Sequence, residues 1–96
     1  MSEFILFMHN DATDAIGDWE AYLDRLRASG RFQGGSAIET GMCVRKDDRR
    51  LPITDHLIGY LRVEASDIED AKTFLQGNPH YESGGTIEIR ALPRSD

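Results

Sequence analysis

One cysteine, three prolines and one tryptophan in 96 residues remove several classes of protein at once. Cys43 alone cannot close an internal disulfide or build a thiolate cluster, which excludes the common cysteine zinc sites and suits a reducing compartment. Long apolar runs are also missing. The longest, Phe4 to Met8, falls far short of a membrane span or a signal-peptide core, and no basic stretch precedes it. Positive charge is scarce too: 11 Lys and Arg against 17 Asp and Glu leave a net −6, which repels phosphate backbones and anionic headgroups. Nucleic acid and membranes are therefore not expected partners, and the expected location is cytoplasmic. Gly34-Gly35 and Gly84-Gly85 lack the spaced third glycine and following helix of a phosphate loop, so they read as close strand packing or a bulge. No cofactor fingerprint is present, and none is expected.

What the chain does have is alternation of two periodicities. Glu3 to His9 reads as a central strand, because Phe4, Ile5, Leu6, Phe7 and Met8 are apolar on both parities. A polar loop over 10–17 offers Thr13 or Asp14 as a helix N-cap, and Ile16, Trp19, Tyr22, Leu23 and Leu26 then recur at helical spacing up to Gly30. Arg31 to Glu39 is a second strand. Residues 40–55 read as a hairpin insertion: short extended runs at 42–46 and 51–54, the latter an edge because of Pro52, flank the charged turn 46–50. Leu57 to Val63 is a strand with one apolar and one mixed face. Ser66 and Glu69 have capping-box spacing, the helix they open buries Ile68, Ala71, Phe74 and Leu75, and Gly77 with Pro79 stops it. Thr86 to Leu92 is the last strand, and 93–96 is a tail.

Strand, helix, strand, insertion, strand, helix, strand is the ferredoxin-like α+β order, with antiparallel strands arranged 4-1-3-2 and both helices on one face. The chain is then a single domain over 1–92. About two-thirds of the unfolded surface is buried in a domain this small. The uncovered face would carry Tyr60, Arg62, Thr86, Glu88, Arg90 and one parity of the first strand, so a homodimer packed through that face is expected. Leu6 would belong to the dimer face and Phe7 to the core if the even parity faces outward.

The same topology brings His9, His56 and His80 to one end of the sheet, with Asp11 and Asp55 beside them. Imidazole beside carboxylate suits general acid–base work or a divalent-metal site. No pair has the close helical spacing of a known metal motif, so no metal is assigned and His9, His56, Asp11 and Asp55 are taken as acid–base candidates. His80, Tyr60, Arg62, Glu88 and Arg90 are taken as ligand-binding candidates, since charges on the mixed face must be paired or wet. Cys43 reads as inert.

Trp19-Glu20-Ala21-Tyr22, Leu26-Arg27-Ala28-Ser29-Gly30-Arg31-Phe32, Gly34-Gly35, Gly59-Tyr60 and Gly84-Gly85-Thr86-Ile87-Glu88-Ile89-Arg90 resemble the YCII-related family over nearly the whole chain. The resemblance implies a ferredoxin-like dimer of the dimeric α+β barrel group, with a cavity between sheet and helices or near the dimer seam. Some members look like enzymes with a His-Asp pair, dehydrochlorinase-like proteins among them; Trp19 stands where their histidine would be. Another branch carries Asp-Gly-Pro-Phe after the insertion, where this chain has Asp55-His56-Leu57. The chain thus resembles an atypical member lacking both signatures. The expected function is binding of a small organic molecule, either with His/Asp acid–base chemistry or as a noncatalytic dimeric binding or regulatory module.

Overall fold

The computed structural model describes residues 1–13 and 17–93. Its elements are β1 (Ser2–His9), α1 (Trp19–Ala28), β2 (Phe32–Ala37), β3 (Leu57–Ala65), α2 (Ile68–Lys72) continued by a 3-10 turn (Thr73–Leu75), α3 (Pro79–Glu82) and β4 (Ile87–Leu92). The sheet is antiparallel in the order β2-β3-β1-β4, as the ferredoxin-like reading requires. Among the described residues no helix is long and apolar enough to cross a membrane.

One core joins the helices to one sheet face. Tyr22 and Leu26 of α1, Ala71 of α2 and Leu75 of the 3-10 turn meet Phe4, Leu6, Met8, Leu61, Val63 and Ala65 from the strands. The even parity of β1 therefore faces the helices, with Leu6 fully buried, and the odd residues Ile5 and Phe7 lie half-buried on the open face. This reverses the outward assignment of Leu6. The neighbours decide it: Leu6 pairs with Leu61 and Ile89, whereas Phe7 pairs with Tyr60 and Glu88, and directly opposed residues share a face. The Tyr22 hydroxyl, carried into the core, donates to the Phe74 carbonyl at 2.7 Å, and burial pushes its pKa up.

Several local expectations shift. Helix α1 is capped by Asp18, which accepts from the Ala21 N–H at 3.2 Å; Thr13 instead donates to the Ser83 carbonyl, and Asp14 and Ile16 lie outside the described residues. The second cap sits one residue later than the Ser66–Glu69 box: Asp67 accepts from the Asp70 N–H at 2.8 Å, while Asp70 receives the Ser66 N–H and hydroxyl. That phase leaves Ile68 half exposed. No strand forms between Ala37 and Leu57, so the expected hairpin is an irregular loop folded back on itself, with the Cys43 thiol donating to the Pro52 carbonyl at 3.6 Å. Pro52 has no N–H to give a ladder, and Met42 and Val44, 82% and 79% exposed, find nothing to pack against.

Asp70 also takes an ion pair from Arg31 at 2.9 Å, tying α2 to the start of β2. The Ser66 N–H, aided by the Ser66 hydroxyl and Arg31, holds its carboxyl below the ordinary value of 3.8. A depressed folded pKa supplies stability that is present above the unfolded value and lost as pH falls through the folded one. Thermal melts between about pH 5 and pH 2 should therefore show Asp70→Asn less stable than the parent at the upper end, with the gap closing toward the lower end.

Candidate functional site

In each glycine pair the second residue serves close packing, and the first, Gly34 or Gly84, has open space around it and a positive φ. A bulge separates Phe32 from Gly34 in the β2–β3 register, and a Cβ on Gly35 would lie 2.5 Å from the Tyr60 carbonyl oxygen. This bare stretch of β2 forms the floor of a cleft of about 670 Å³. Trp19, Leu23 and Arg27 of α1 make one wall, and Pro79, His80 and Ser83 make another. Trp19 stands 39% exposed and meets Tyr22 edge-on at 5.8 Å, so only part of it is packing and the rest faces this space.

His80 is buried at one wall of the cleft because Asn78 and Pro79 start a helix where a loop was expected. The Asn78 side chain caps α3 by accepting from the Tyr81 N–H at 3.0 Å, and Pro79 occupies the first helical position, where no N–H is needed. The His80 ring then lies close against Gly85, where any Cβ would fall 2.2 Å from Nε2. Nε2 is buried without a hydrogen-bond partner, yet it stands 3.8 Å from Asp11 Oδ1. Asp11 is fixed in turn by the Thr86 hydroxyl at 2.5 Å and the Thr86 N–H at 2.8 Å. These two donors hold the Asp11 carboxyl below its ordinary range, so it presents a charge to the imidazole.

On the open face a second cluster forms. His9 Nε2 donates to Glu88 Oε1 at 2.8 Å, and Arg90 Nε donates to Glu88 Oε2 at 2.8 Å. His56 meets the His9 ring edge-on, centroids 4.9 Å apart. The His9 hydrogen bond, followed by that of Arg90, holds the Glu88 carboxyl below its ordinary range. Farther along the same face, Arg62 pairs with Glu3 at 2.6 Å, and Tyr60 lies opposite Phe7.

All three histidines reach one end of the sheet, but on two faces: His9 and His56 are on the open side and His80 under the helices. The carboxylate that meets His9 is Glu88, and the one near His80 is Asp11. Asp55 is exposed and makes no hydrogen bond or ion pair among the described residues. Trp19, Thr86 and Gly85 were not among the sequence candidates. Asn78-Pro79 before His80, read as an N-cap and first helical residue instead of a helix stop, is the signal that could have found an ordered histidine there.

This is a ferredoxin-like α+β domain with an apolar cleft between helix and sheet and a polar cluster on the opposite face. A similar solved structure is 5-chloro-2-hydroxyhydroquinone dehydrochlorinase from Burkholderia phenoliruptrix AC1100 in complex with 2,5-dihydroxybenzoquinone. The TM-score is 0.62 at 17% identity, over 97% of this chain and 95% of that one. The likeness establishes the shared fold. No family model matches the chain, and no curated protein matches it.

Proposed function

We propose that this chain is a cytoplasmic, YCII-like homodimer that binds a small, largely apolar organic molecule in the cleft beneath α1 and moves a proton on it with the His80–Asp11 pair. The observation that carries the reading is a buried imidazole, at the wall of a cleft of about 670 Å³, whose Nε2 has no hydrogen bond and faces a carboxylate 3.8 Å away. Ligand closure tightens such a contact into a hydrogen bond. With the proton on Nε2 held by Asp11, Nδ1 is left as the basic nitrogen, suited to elimination or isomerisation of a substrate with an acidic C–H or O–H. His9 and His56, on the other face of the sheet, take no part in this step.

A dimer is supported by Ile5, Phe7, Leu57 and Leu92 along the open face and by the exposed apolar side chains of the 38–56 loop. The size of the cleft and the neighbour's ligand make 2,5-dihydroxybenzoquinone a reasonable probe. Because Trp19 is the sole tryptophan and lines the cleft, saturable quenching of its fluorescence by the probe is the expected result. His80→Ala should weaken that binding at least about tenfold, the value of one charge-assisted contact. Quenching that does not saturate, or equal affinity in the variant, would count against the site.

A further inference from the structure

We infer that His9, His56 and Glu88 form a binding site for one divalent transition-metal ion, with zinc the best match. Each residue offers one ligand atom, and these atoms all lie within 4.8 Å of one another. Ligands at zinc distances in a tetrahedron are about 3.3 Å apart. Small side-chain rotations therefore bring all three onto one ion, which replaces the proton now shared by His9 Nε2 and Glu88 Oε1 at 2.8 Å.

The three residues come from three neighbouring strands of one sheet: His56 leads into β3, His9 ends β1 and Glu88 lies in β4. Backbone bonds lock them in place, with the Asn10 N–H donating to the His56 carbonyl at 2.7 Å and the His9 N–H donating to the Thr86 carbonyl at 3.0 Å. A site built on a rigid sheet loses little order when it binds. The nearly perpendicular His9 and His56 rings, at 78°, approach one another edge to face instead of stacking. Arg90 occupies the second Glu88 oxygen. It leaves Oε1 for the ion and fixes the carboxylate as an outer-shell partner does.

Two imidazoles and one carboxylate are the donor set of zinc sites that keep a fourth position for water or substrate, and His56 is exposed in the single chain. The set uses Glu88 where the sequence suggested a third histidine. It stands apart from the His80 cleft, on the opposite face, and does not depend on that reading.

The test is native mass spectrometry of the full chain with zinc at neutral pH, together with the visible spectrum of the cobalt-loaded protein. Wild type and His80→Ala should each take up one ion per chain, with cobalt absorbing as a tetrahedral centre. His56→Ala and Glu88→Gln should bind at least about tenfold more weakly. His56 is exposed, so its removal leaves the fold intact. Equal uptake by wild type and His56→Ala, or an octahedral cobalt spectrum unchanged by either substitution, would overturn the assignment.

Discussion

Replacing Leu6 by Asp is expected to leave no folded protein, while Phe7→Asp one position along should fold and lose only its self-association. Leu6 is fully buried between Leu61 and Ile89 beneath the helices. Even Leu6→Ala should cost about 2–5 kcal/mol. An unpaired carboxyl there adds a desolvation cost of several kcal/mol to the lost packing, together comparable with the roughly 5–15 kcal/mol that holds a domain of this kind together. Phe7 has Tyr60 and Glu88 for neighbours and keeps one side open, so a carboxylate there stays wet. Circular dichroism and light scattering separate the outcomes. A native spectrum for Leu6→Asp would contradict the face assignment, and an unchanged particle mass for Phe7→Asp would contradict the proposed dimer seam.

Gly85→Ala should weaken probe binding in the cleft as much as His80→Ala does, although it adds only a methyl group. The added Cβ would lie 2.2 Å from His80 Nε2, so the ring must leave its seat beside Asp11. Overpacking of this kind costs about 1–3 kcal/mol, which a folded domain survives. Gly84→Ala is the control. Gly84 has a φ of +86° but open space around its Cβ position, so the substitution costs backbone strain of about 1–2 kcal/mol and leaves His80 where it is. Tryptophan fluorescence titrations with 2,5-dihydroxybenzoquinone should then show binding retained in Gly84→Ala and weakened at least about tenfold in Gly85→Ala. Equal behaviour of the two variants would mean that the His80 seat is not what binds.

The strand and helix order was legible because each segment carries a clear period, and the order alone gives the sheet arrangement. The facing of β1 was not legible, since Phe4 to Met8 are apolar on both parities; only the register with Leu61 and Ile89 against Tyr60 and Glu88 resolves it. His9, His56 and Glu88 could be placed on the strands around one end of the sheet from topology, but their side-chain pairing depends on which carboxylate the register brings across. His80 was placed in a loop because Pro79 usually follows a helix end; here it begins one. The insertion misleads for a simpler reason: its apolar residues suggest two strands, but the arms that meet at Cys43 and Pro52 form no strand, and Pro52 has no N–H for a ladder.

The irregularity between Met8 and His9 in the β1–β3 register, where His9 aligns with Leu57 and Ile58 is left over, makes chain length itself a determinant of the histidine pair. Deleting Ile58 would be absorbed by the irregularity, leaving Leu57 opposite His9 and His56 opposite Asn10, whereas adding a residue would push His56 about 3.3 Å farther from His9. The long loop before it can gain or lose residues without that penalty, because it enters no ladder. Among natural variants of this chain, insertions and deletions should accumulate between 40 and 54, whereas a residue added between His56 and Gly59 would pull the histidine pair apart at a stroke.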